Sequence, residues 1–123
     1  MALTPRQKAL RIARVALDGK AEKVAILDLR RRSSTFDYFV VCSAASGRRG
    51  QAIAEAIEAD LAASGARLRH QEGDAEGGWV LLDYGSVVAH LFTEELREFY
   101  RLEWLWNDAP RVRVPAGRRA QPV

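Results

Sequence analysis

Residues 79–92, WVLLDYGSVVAHLF, constrain this chain more than any other stretch. Two apolar runs meet at Gly85-Ser86, and a glycine-led two-residue turn of this kind joins antiparallel strands whose twist it matches. The pairing then follows by counting outward from the turn. Tyr84 opposes Val87, Asp83 opposes Val88, Leu81 opposes His90, and Trp79 opposes Phe92. Opposed residues share a face of the sheet. One face carries Val80, Leu82, Tyr84, Val87, Ala89 and Leu91, and belongs against a core. The other carries Trp79, Leu81, Asp83, Val88, His90 and Phe92. That second face is mixed: Asp83 and His90 lie on a diagonal of roughly 7–8 Å, within reach of a hydrogen bond between their side chains.

The flanking segments supply the remaining layers. Thr4, Pro5 and Gln7 fit an N-cap, a first-turn proline and a capping-box residue. Leu10, Ala13 and Leu17 then form a stripe at helical spacing, widened by Ile12, Val15 and Ala16, and Asp18-Gly19 ends the helix. Val24–Leu29 and Phe36–Ser43 read as strands. The six residues between them, RRRSST, are too few for a parallel crossover, so the two are antiparallel neighbours. The loop 44–49 leads into a helix over 48–63, with Ile53, Ile57 and Leu61 as its buried stripe and Gly65 near its C-terminal cap. Ala66–His70 is a modest strand and Gln71–Gly78 a solvated loop. Thr93 caps a last helix, with Glu94 and Glu95 at the positive end of its dipole. Leu96, Phe99, Leu102 and Trp106 form its stripe, and Tyr100 and Trp104 extend the apolar surface. Only Arg111–Val114 has strand potential afterwards. The expected architecture is a single α/β domain over 1–114, a mixed sheet of about five strands with helices packed on it, and a disordered basic tail over 115–123.

Charge narrows the function classes. The chain carries a net +3, but removing the four arginines of residues 111–123 from 19 basic and 16 acidic residues leaves −1 for residues 1–110. The body is near neutral and the basic character sits in the tail, so a nucleic-acid-reading domain is a poor fit. Arg30–Arg32 and the tail arginines Arg118 and Arg119 remain candidates for peripheral RNA contact. Ser46, Arg48 and Arg49, at a strand-to-helix turn, form a candidate anion contact, though the sequence matches neither standard phosphate-loop motif. No apolar run approaches the roughly 20 residues that span a bilayer, and the first helix accounts for the basic N-terminus, so a cytoplasmic protein without membrane contact is expected.

Catalytic constellations are thin. Cys42, the sole cysteine, lies in the apolar run FVVCS and reads as a buried thiol. His70 and His90 are too few for a three-histidine metal site. Paired carboxylates that hold magnesium for nucleotidyl transfer are also missing: the hairpin strand offers Asp83 alone, as LDY. A nucleotidyltransferase-like enzyme using Asp37, Asp83 and the Ser46–Arg49 loop is the alternative reading. No cofactor or metal is expected.

Three stretches, FDYFVVCSAASGRR, EGGWVLLDYGSVVAHLF and REFYRLEWLWNDAP, resemble in order the ribosomal silencing factor family, also called RsfS or Iojap-like. The resemblance runs from about Thr4 to Pro110; Ala44 replaces the family's usual glycine, and Ser86 replaces its usual turn aspartate. It implies an α/β domain similar to nucleotidyltransferases without their metal-binding carboxylates. It also implies binding to the large ribosomal subunit through large-subunit ribosomal protein fourteen. Joining of the small subunit would thereby be blocked sterically, repressing translation under nutrient limitation. A homodimer when free is a further expectation. An aromatic anchor beside a few polar groups suits a protein-binding surface. The expected protein contact is therefore Trp79, Leu81, Asp83, Val88, His90 and Phe92, with Tyr100 from the last helix.

Overall fold

The computed structural model describes residues 2–101 and 107–114 of the 123-residue chain. Helix α1 (Pro5–Asp18) opens with the anticipated capping box: Thr4 Oγ1 accepts from the Gln7 N–H at 3.1 Å, and Gln7 Oε1 accepts from the Thr4 N–H at 2.9 Å. Strands β1 (Glu22–Asp28) and β2 (Tyr38–Ala44) pair antiparallel, as their short connection requires. Helix α2 (Gly47–Ala63) follows, capped by Ser46, whose hydroxyl accepts from the Arg49 N–H at 3.1 Å. Gly47 is required by close approach: a Cβ there would lie 1.8 Å from the Ala75 carbonyl oxygen in the turn ahead of Trp79.

Strand β3 (His70–Asp74) corrects the sequence reading, which placed a strand at 66–70 and a loop at 71–78. Its polar residues HQEGD carry no strand-like alternation because it is an edge, held by its pairing with β4 rather than by burial. The hairpin of β4 (Trp79–Asp83) and β5 (Val87–Thr93) has the register counted from its turn, with Trp79 opposite Phe92 and Leu81 opposite His90. Helix α3 spans Glu94–Tyr100; Thr93 occupies its N-cap, but its side chain makes no capping hydrogen bond. A last pair of residues, β6 (Arg111–Val112), joins β1. The sheet therefore has six strands rather than about five, in the order β3-β4-β5-β2-β1-β6, with β2 and β5 parallel at its centre.

Both long helices cover one face. Ile12, Ala13 and Ala16 of α1 and Ile53, Ile57 and Leu61 of α2 pack on Ile26, Tyr38, Val40, Val80, Leu82, Val87, Ala89 and Leu91. The hairpin's apolar face is thus the core face, as its alternation implied. The opposite face builds a second cluster from Leu27, Leu29, Phe39, Val41, Val88, Phe92 and Ala109, flanked by Phe36, Trp79, Leu81 and Leu96. The sequence expectations for Leu102, Trp104, Trp106 and the tail, including Arg118 and Arg119, fall outside the described residues.

Candidate protein-binding face

Strand register sets this face in rows. Leu81, His90, Val41 and Ala25 form one row across four strands, and Asp83, Val88, Phe39 and Leu27 the next. Trp79, Phe92 and Ser43 form the third. Aromatic rings rise from these rows in near-parallel array. Trp79 lies 6.0 Å from Phe92 and 6.4 Å from His90 by ring centroid, with interplanar angles of 8° and 5°. The rings of His90 and Phe92 are 6.0 Å apart at 5°, and Phe39 sets its ring edge against His90 at 4.7 Å. From α3, Tyr100 leans on Trp79 and Phe92 at 6.0 and 5.9 Å, and Phe99 meets Tyr100 edge-on at 5.2 Å.

Exposure divides the array. Val88, His90 and Phe92 are buried, so they form its floor rather than its surface. Trp79, Leu81 and Asp83 are half-buried at its rim. Phe99 and Tyr100 are 78% and 50% exposed, large apolar groups left in water at the end of α3. Of the seven residues expected to bind protein, four (Trp79, Leu81, Asp83 and Tyr100) therefore have side-chain surface to offer.

Asp83 and His90 do not bond each other. Asp83 Oδ1 instead accepts from the Gly85 N–H at 2.7 Å and fixes the turn, where Gly85 takes a φ of 90° that favours glycine. Neither ring nitrogen of His90 has a hydrogen-bond partner among the described residues, and the Trp79 Nε1–H is likewise enclosed without one. Burial pushes the His90 imidazole down to about 4, so it is neutral at pH 7. The carboxylate failed to reach it because the turn two residues away offered Asp83 a nearer donor.

The sequence reading missed Arg97, which is buried beneath α3. Its Nη1 donates to the Lys23 carbonyl at 2.6 Å and to the Ser43 hydroxyl at 2.9 Å. Lys23 sits at a bulge where the β1–β2 register slips between Glu22 and Ala25, with a φ of 51°. Lys23 Nζ in turn pairs with Glu94 at 2.8 Å. The guanidinium thus ties α3, and with it Phe99 and Tyr100, to strands β1 and β2. A buried serine at the end of an apolar strand, in FVVCS, was the signal that a donor had to arrive from elsewhere.

The other candidates are dispersed. Ser46 is engaged as the α2 cap, with Arg48 and Arg49 exposed beside it. Cys42 is buried, and burial pushes its thiol up to about 12, which removes the thiolate. Asp37 is half-buried ahead of β2, where its backbone N–H donates to the Ser86 carbonyl at 2.7 Å. Among the described residues, no group of three or more His, Cys, Asp or Glu could hold a metal ion, and no helix is long and apolar enough to cross a membrane.

Two long helices on one face of a mixed sheet and a stacked aromatic array on the other define a single-domain α/β protein whose candidate site is an aromatic surface rather than a cleft. The chain belongs to the ribosomal silencing factor family: the model described as RsfS, ribosomal silencing factor during starvation, matches residues 2–122. A ribosomal silencing factor RsfS of Bacillus subtilis is 41% identical over 113 residues, 91% of this chain and 96% of that protein. The chloroplastic protein Iojap of Arabidopsis thaliana is 32% identical over 93% of this chain and 48% of its own length. A crystal structure from Chromobacterium violaceum superposes with a TM-score of 0.82 at 26% identity, covering 94% of this chain and 93% of that one. One from Bacillus halodurans gives 0.75 at 35% identity, covering 88% and 99%. The resemblance carried by the hairpin and its flanking stretches is borne out.

Proposed function

We propose that this protein binds the large ribosomal subunit through large-subunit ribosomal protein fourteen, using the aromatic face, and thereby keeps the small subunit from docking. Translation then falls when nutrients are scarce, in the cytoplasm and with no substrate turned over. The observation that carries this reading is the pair of exposed rings, Phe99 and Tyr100, continuous with the Trp79 stack in a chain of the silencing factor family. Exposed aromatics beside a buried apolar floor are the usual anchors of protein interfaces. Ser46, Arg48, Arg49, Arg118 and Arg119 would add peripheral ribosomal RNA contact, and the free protein would pair with a second copy.

Co-sedimentation with separated subunits tests this directly. The protein should travel with the large subunit without added nucleotide, and Tyr100→Ala should weaken that binding by about 2 kcal/mol, roughly thirtyfold. Its half-exposed ring leaves the core, so melting should shift little. Undiminished binding by folded Tyr100→Ala and Phe99→Ala would place the interface elsewhere. Magnesium-dependent nucleotide binding that Asp37→Asn or Asp83→Asn abolishes would instead favour the enzyme reading.

Deleting residues 115–123 separates charge from recognition. Melting should be unchanged, while subunit binding should weaken modestly and depend less steeply on salt, by about one unit of slope per lost phosphate contact. Binding abolished at every salt concentration would make the tail the primary site.

A further inference from the structure

The turn end of the hairpin, away from Trp79, borders a hollow of about 430 Å³. Its wall takes Lys8 from α1, Arg67 and Arg69 from the approach to β3, and Tyr84, Gly85 and Ser86 from the turn. None of the residues lining it is acidic. None of the three cations has an ion-pair or side-chain hydrogen-bond partner among the described residues. Another arginine-lined hollow, at Arg30–Arg32, is different in kind. There Arg30 is paired with Asp28 at 2.7 Å and Arg32 with Asp108 at 3.3 Å, so two of its three cations already have their counter-charge.

Three cations around one concave space repel each other and attract an anion, with the Glu58 carboxylate, beside Arg67 in the adjoining hollow and felt by Tyr84, offsetting part of that field. Local geometry supports that. Cζ, Nε and Nη1 of Arg69 all lie 3.5 Å from where a Cβ would stand on Gly85, so the guanidinium turns its plane to the glycine and leaves its N–H edge open. Such an edge matches the oxygens of a phosphate group. Tyr84 also lines the hollow, and its buried hydroxyl has no hydrogen-bond partner among the described residues. Burial pushes that phenol up to about 12, so it stays a donor. The nearby Asp83 carboxylate is turned to the opposite face and holds the Gly85 N–H.

We infer that the hollow between α1, the 67–69 segment and the Gly85-Ser86 turn is an anion site for a phosphate group, carried either by a small nucleotide or by an RNA backbone. It is separate from the aromatic face and does not rest on the silencing reading. The full chain would be titrated with sodium pyrophosphate, ATP and a short single-stranded RNA while backbone amide resonances are followed. Amides of Arg67, Arg69, Gly85 and Ser86 should shift, and Arg67→Ala with Arg69→Ala should weaken binding at least tenfold. Both arginines are exposed, so the double variant should melt like the parent. Tyr100→Ala should bind these probes normally. A nucleotide source predicts that ATP saturates the site at lower concentration than the RNA does. An RNA source predicts the reverse order, with log affinity falling by about 0.7 per phosphate contact for each log unit of salt. No shift with any probe at low salt, or equal affinity in the double variant, would overturn the assignment.

Discussion

Taking this protein from pH 7 to pH 4 should remove about 3 kcal/mol of stability through His90 alone. The imidazole is 6% exposed between Phe39, Trp79 and Phe92, and burial lowers its pKa from 6.5 to about 4. Its row neighbours, Leu81 and Val41, carry no charge to offset that. The sign follows from proton counting. Between 6.5 and 4 the unfolded chain binds a proton that the folded chain refuses, so stability is complete above 6.5 and drains as pH falls toward 4. Denaturant unfolding at half-unit steps of pH reads this slope. His90→Phe should flatten it, and should also stabilise the fold at pH 7 by about 1 kcal/mol or more, because two enclosed nitrogens without partners are replaced by carbon. An unchanged pH slope in that variant would mean His90 has a partner in solution.

Arg97→Met should be the most damaging single substitution beneath α3. Hydrogen bonds to a charged group contribute about 1.5–3 kcal/mol each, and among its contacts the guanidinium donates to the Lys23 carbonyl and the Ser43 hydroxyl. Losing both leaves two acceptors enclosed beside a bulge, a combined cost of about 3 kcal/mol and a melting point lower by on the order of 10 °C. Arg97→Lys should recover part of that, since an ammonium can donate to both oxygens but lacks the fixed fork. The large-subunit binding proposed above, measured well below the melting transition, should fall with the loss of α3 anchoring. If Arg97→Met melts like the parent, then α3 is held by its apolar contacts with the sheet and the clamp is incidental.

The hairpin was legible because its turn residue and period-two alternation leave a single register, and that register alone separated the core face from the aromatic one. The capping box at Thr4 was legible for the same reason: the chemistry is local. Strand β3 was not, since its polar residues HQEGD are extended only through β4, a contact no window of sequence contains. The array was half legible. Its members could be counted on one face, but their depth depends on neighbours from β2, so Val88, His90 and Phe92 were placed at the surface although Phe39 and Val41 help to bury them. The Asp83–His90 hydrogen bond failed on competition: a backbone N–H two residues away is a shorter reach than a diagonal across strands. Arg97 was invisible because a charged residue in a short helix ordinarily faces water, and only the bulge at Lys23 gives it a reason not to.

The parallel pairing of β2 with β5 has a kinetic consequence. Tyr38 stands beside Val87, so the two central strands cannot meet until the intervening chain has been closed into a loop, and contacts between distant residues form slowly. Helix α2 and strands β3 and β4 lie inside that loop, and α2 and the β4–β5 hairpin can form from local contacts first. Docking of the preformed hairpin onto β2 would then bring in the Trp79–His90–Phe92 rings and Phe39 in one step. Strand β1, aligned on β2, offers its other edge to β6, whose two residues could not hold themselves extended alone. The aromatic face would therefore mature at the same moment as the centre of the sheet, and a chain arrested before that moment would display Phe39, His90 and Phe92 to water together.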